Sequence, residues 1–160
     1  MIAILVAAGM FAASPPAVPS EPGATPPERV ITVRRNSTGG GGTLDIPSDA
    51  AMALASMDPS DTLDFLVKLG DLLDEGETFT DIAFAVVASS VIKGFTILST
   101  PTHASRIVDD TDVLLWVTVS TAKRDDTAWR GGQTCGAVLT TQTSFAREYQ
   151  RTIAVRIVEK

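Results

Sequence analysis

The two-residue period of its apolar side chains limits this chain more than any other feature. From Asp58 to Leu69 the residues Leu63, Phe65, Val67 and Leu69 alternate with Thr62, Asp64 and Lys68, Leu66 being the exception. That is the pattern of a half-buried β-strand. Near the other end Ile153, Val155 and Ile157 alternate with Thr152, Ala154 and Arg156. A domain bounded by two such strands can place both in one sheet system, and a helical period of 3.6 fits neither.

The stretches between them continue the pattern. Ile82, Phe84 and Val86 alternate with Ala83 and Ala85. Val91 to Leu98 reads as a further strand, weakened by Gly94 and followed by Pro101, and Arg106 to Val108 as a short one. Asp112 to Ser120 is the strongest, with Val113, Leu115, Val117 and Val119 on one face and Leu114, Trp116, Thr118 and Ser120 on the other. Lys123 to Gln133 is a polar connection, Cys135 to Ser144 a Thr-rich strand, and Phe145 to Glu148 the turn into the last strand. Short strands at roughly 8 to 15 residue spacing predict an all-β fold, an Ig-like antiparallel β-sandwich. The paired cysteines usual in Ig domains are absent, since Cys135 is the single cysteine.

The sequence before Asp58 has a different character. Met1 to Ala13 is apolar, and Ser14 to Pro27 holds six of the nine prolines, a composition that favours extended polyproline II and cannot build a core. Glu28 to Arg35 predicts a short strand, Gly39 to Gly42 interrupts regular structure, and Ser48 to Met57 carries helix formers behind a Ser48 N-cap. The predicted organisation is an extended N-terminal arm over residues 1–57 and a sandwich over 58–160. Ile2, Ile4, Leu5, Val6, Met10 and Phe11, with Val30, Ile31 and Val33, form the expected contact surface of the arm, because such a run is poorly tolerated in water without a partner. Met1 to Ala13 lacks the basic start of a signal peptide, and at about 13 residues it falls short of the roughly 17 to 25 that a membrane span needs.

A formal net charge of −6 argues against a phosphate-tracking surface, so nucleic acid is not expected as a partner, and with Met1 to Ala13 too short to span a bilayer neither is a membrane. The glycine run Gly39 to Gly42 lacks the Gly-Lys-Ser/Thr of a P-loop. His103 is the only histidine, sits in no nucleophile-elbow pattern, and reads as a solvent-facing loop residue. Cys135 reads as a small buried hydrophobe. Two acidic stretches, Asp71, Asp74, Glu75, Glu77 and Asp81, and Asp109, Asp110 and Asp112, lack EF-hand spacing and read as solvated turns. No catalytic residue, cofactor or metal is expected. Trp116 is assigned to the core. Trp129, between Asp125-Asp126 and Arg130, suits an interface anchor or local packing equally.

Three motifs carry a resemblance: the opening Asp58-Pro-Ser-Asp-Thr-Leu-Asp-Phe, the Trp-centred Val113-Leu-Leu-Trp-Val-Thr-Val, and the ending Arg151-Thr-Ile-Ala-Val-Arg-Ile-Val. Together they resemble small tailed-bacteriophage virion proteins of the fiber-tail adaptor type, over Asp58 to Lys160. Where that group commonly has a Gly-Gly-Thr-Ala-Gly-Thr turn after the Trp strand, this chain has a longer, charged connection from Ala122 to Gly132. The resemblance implies a non-enzymatic structural component of the virion. It would dock fibers or neighbouring subunits at the neck or tail as a homo-oligomer, with neck, tail tube, fiber or capsid proteins as partners. A capsid decoration (cement) protein and a secreted Ig-like binding domain are the alternatives.

Overall fold

The computed structural model describes residues 25–33 and 50–160. In chain order the strands are β1 (Val30–Thr32), β2 (Ala51–Met57), β3 (Thr62–Lys68), β4 (Phe79–Val86), β5 (Phe95–Ile97), β6 (Ser99–Thr100), β7 (His103–Ala104), β8 (Arg106–Val108), β9 (Asp112–Val119), β10 (Gln133–Thr143) and β11 (Glu148–Ile157), with one short helix, α1 (Ala88–Ile92). One sheet has the order β1-β3-β9-β5, with β8 also paired to β9. The second has the order β2-β11-β10-β4, and β6 and β7 form a separate hairpin.

The alternating strands build this arrangement directly. β3 and β9 pair antiparallel, with Leu63 opposite Val117, Phe65 opposite Leu115 and Val67 opposite Val113. One apolar face of each is thereby sealed against the second sheet. That sheet answers with Cys135, Ala137 and Leu139 from β10 and Ile153, Val155 and Ile157 from β11, and all of these side chains belong to one core. At about 25 cal/mol per Å², burying each Val, Leu, Ile or Phe contributes roughly 1.5 to 3 kcal/mol. The β10–β11 hairpin is the longest pairing, running from Gln133 opposite Ile157 to Gln142 opposite Glu148.

Three expectations are corrected. Ser48 to Met57 does not hold a helix at its end: Ala51–Met57 is strand β2, parallel to β11. The helix-forming alanines and methionines yield to a neighbouring strand whose backbone groups they satisfy, a tertiary effect larger than propensity. Val91 to Leu98 is not one strand. Residues Ala88–Ile92 are α1, and only Phe95–Ile97 joins the sheet, after a reversal at Gly94 with φ +82°. The sheets are mixed and not purely antiparallel, since β1 runs parallel to β3 and β2 parallel to β11.

β1 and β2 also carry the folded unit upstream of Asp58. Ile31 is 0% exposed and Val33 1% exposed within the chain's own core. Arg29 and Thr25 tie this segment to β3: Arg29 pairs with the Asp64 carboxylate and the Thr25 hydroxyl donates to it at 2.9 Å. Asp64, on the outer face of β3, is 6% exposed as a result.

Candidate interaction surfaces

On one flank of the sandwich β1 and β2 come together; on the other, β4 and β5 are the free margins of their sheets. At the lower end of that second flank the sheets are laced together, the Phe79 N–H donating to the Asp110 carbonyl at 2.8 Å in the turn where Asp109 and Asp110 take positive φ. Towards α1 the backbones of β4 and β5 stay close, and their side chains leave a gap between them. There a cleft of about 330 Å³ opens, lined by Phe84, Val86, Phe95, Thr96, Ile97 and Ser99, none of them charged. Phe95 is buried, while Phe84, Val86 and Ile97 are only half-buried. α1, which joins the two margins, leaves Val91 57% and Ile92 74% exposed. No signal in the sequence announces this surface. Ile82, Phe84 and Val86 read as an ordinary amphipathic strand, and only the strand order makes theirs a sheet margin.

Of the two roles open to Trp129 the structure takes local packing, while Trp116 leaves the core expected for it. Trp129 is 2% exposed, and its indole N–H donates to the Lys123 carbonyl at 2.6 Å, so it packs locally and is no surface anchor. The charged residues around it lie on short helical turns that cap the end of the sandwich, with Asp126 accepting from the Ala128 N–H. Trp116 is on the outer face of β9, half-buried, with the His103 ring edge-on to it at a centroid distance of 4.6 Å. The chain leading from β7 into β8 is held there by Ser105, whose hydroxyl donates to the Leu98 carbonyl and accepts from the Trp116 N–H. His103 is thus packed against a ring and not in a free loop.

The acidic stretches resolve into paired and exposed groups. Glu77 is 3% exposed; it accepts from the Thr143 hydroxyl at 2.5 Å and from Arg147, and Arg147 also pairs with Asp74. The Thr143 hydroxyl, and after it the Asp74 N–H, hold the Glu77 carboxyl below its ordinary value against the opposing effect of burial. Asp58 is held down to about 2, first by the Ser60 hydroxyl and then by the Lys160 backbone N–H. This ties the start of the opening motif to the residues just after the last strand. Asp112 goes the other way, raised by burial. Among the described residues no three His, Cys, Asp or Glu side chains converge as metal ligands. Cys135 is buried, and burial raises its thiol pKa.

Of the expected contact residues, Ile31, Val33 and Trp129 therefore serve this chain's own core, and Val30 is half-buried in β1. Ile2, Ile4, Leu5, Val6, Met10 and Phe11 lie outside the described residues, as does the glycine run Gly39 to Gly42. Compared with known protein families and with curated proteins, the chain matches none.

Proposed function

We propose that the chain is a non-enzymatic structural module of a tailed-phage virion, an adaptor at the neck or tail that docks fibers or neighbouring subunits. The observation that carries this reading is where the three resembling motifs fall. The opening motif runs into β3 and the Trp-centred motif is β9, hydrogen-bonded to each other from Thr62 opposite Thr118 to Lys68 opposite Asp112. The closing motif covers β11 from Arg151 to its end at Ile157 and one residue beyond. Motifs that recur because they build one central strand pair and its facing strand are what a shared fold demands, and a shared fold is the level at which the resemblance operates.

The strand order supports the Ig-like form of this reading. A sheet of β3, β9 and their edge partners faces a sheet of β11, β10 and β4, with β2 parallel to the last strand. In this proposal the apolar N-terminal residues Ile2 to Phe11 make the contact with the neighbouring subunit, and symmetric repetition multiplies weak contacts into a stable assembly.

Quantitative mass spectrometry of purified particles tests it. About six or twelve copies per particle supports a neck or tail ring; hundreds point to the capsid decoration alternative. Absence from particles, together with a secreted chain trimmed near Ala13, sinks the virion reading in favour of the binding domain.

A further inference from the structure

We propose that the open flank between β4 and β5 is the receiving site for residues Ile2 to Phe11 of a neighbouring copy of this chain, taken up as an added strand along β4. This rests on the reading of the N-terminal segment as the docking element, and identifies where on the neighbour it docks.

Four observations converge on the flank. The first is an unused strand margin. From Thr80 to Val86, β4 pairs with β10 on one side and with no described strand on the other. At the lower end the Ile82 N–H is already satisfied by the Asp81 carboxylate at 2.9 Å, a charged cap of the kind that blunts strand edges. Among the described residues no side chain caps the margin at Phe84 or Val86, beside the cleft. The second is the cleft, whose lining of Phe84, Val86, Phe95 and Ile97 offers apolar surface to alternate side chains of an incoming strand while the backbone supplies hydrogen bonds. The third is the exposed pair Val91 and Ile92 on the helix bridging the two margins, apolar surface that a covering segment would remove from water.

The fourth is the chemistry and length of the occupant. Ile2, Ile4 and Val6 alternate with Ala3, Leu5 and Ala7, and no charged residue occurs before Glu21. An uncharged alternating segment suits an uncharged cleft. Residues 12–24 separate Phe11 from Thr25, which is anchored at Asp64. Fully extended, those thirteen residues span at most about 45 Å. The chain's own β5 lies only two strand spacings from β3, about 10 Å away. A domain of this size is roughly 35 Å across. Effective concentration peaks when linker reach matches the span. A spacer of up to this reach is long enough to deliver residues Ile2 to Phe11 to the cleft of an adjacent domain.

The test uses full-length chains. One carries Ile4→Cys, the other Ser99→Cys at the exposed rim of the cleft, and the two are mixed and treated with a short bismaleimide. Cys135 is buried and does not compete. A third chain with Gln150→Cys, exposed on the outer face of β11, is the control. The expected result is a mixed cross-link between Ile4→Cys and Ser99→Cys chains, about tenfold or more above the Gln150→Cys control, as tethering in an assembly predicts. Mixed cross-linking no better than the control overturns the proposal. So does cross-linking only within a chain carrying both substitutions, which puts the segment in its own cleft, or coupling of Ser99→Cys chains to each other, which puts cleft against cleft. Mass photometry of the chain lacking residues 1–13 separates the two levels. Loss of assembly on trimming, with no cross-link at Ser99, leaves the docking element standing and removes this site; assembly unchanged by trimming removes the docking element itself.

Discussion

The hydroxyl of Thr143 donates to the carboxylate of Glu77 at 2.5 Å, joining the end of β10 to the connection ahead of β4 across 66 residues of sequence. Arg147, from the β10–β11 turn, approaches the same carboxylate and also pairs with Asp74. The turn and the acidic connection are therefore one corner.

That corner gives the fold a definite acid response. The Glu77 carboxyl is lowered from its ordinary 4.5, so its contribution to stability is fully present above that value and is lost as pH falls through the lower folded value. Asp58, held down to about 2, acts with the same sign over a lower range. Asp112, raised by burial, opposes both, favouring the fold at low pH and losing that contribution as pH rises through its folded value. Urea midpoints followed from about pH 6 down to pH 3 are expected to fall for the parent and to fall less steeply for Glu77→Gln. Parallel curves would remove Glu77 as a source of the acid response.

Arg29 and Asp64 fasten residues 25–33 across β3. Arg29 is partly exposed and Asp64 nearly buried, so Arg29→Ala leaves a carboxylate short of a partner at a cost of about 1 to 3 kcal/mol. Amide exchange is expected to rise in β1 well before β10, because β1 is a three-residue margin strand. Uniform protection across both strands would show the pair to be dispensable.

Trp129→Ala removes a fully buried ring and is expected to cost about 3 to 5 kcal/mol in a urea titration. Trp129→Phe keeps much of the volume but leaves the Lys123 carbonyl without its donor, and belongs between the two. A near-neutral Trp129→Ala would return this residue to the surface role its charged neighbours suggest.

Gly76 and Gly94 share nearly the same φ, +77° and +82°, yet differ in surroundings. A Cβ on Gly76 meets open space; on Gly94 it falls 2.5 Å from the Ser120 Oγ and 2.8 Å from Lys123. Gly76→Ala is expected to cost about 1 to 2 kcal/mol for the left-handed backbone alone. Gly94→Ala is expected to cost more by the added clash, measured as the difference between their urea midpoints. Equal losses would mean the turn relaxes around the new methyl.

Cys135 is buried with its thiol pKa raised, which suppresses the reactive thiolate. Labelling by a thiol reagent at pH 8 is expected to be slow in the folded chain and fast in about 6 M urea, tracking global opening. Rapid labelling without denaturant would place the thiol at the surface.

The sequence alone determined the strands whose two faces differ: β3, β4, β9 and β11 stand where alternation puts them, because a period of two is a local property that burial of one face makes visible, and β10 follows the Thr-rich stretch but starts earlier, at Gln133. It also determined that Cys135 is buried and that the fold is all-β. Tertiary structure decided the rest. Ala51–Met57 became a strand only because β11 offers it a parallel edge, and residues 88–92 became a helix because the chain must cross from one sheet to the other there. Trp116 left the core expected for it, and Trp129, which suited either role, packs inward, because burial depends on what lies opposite: β9 turns Trp116 outward to His103, while the charged turn folds Trp129 inward over the end of the sandwich. The open flank between β4 and β5 exists only as strand order, a relation between segments distant in sequence that no local pattern records.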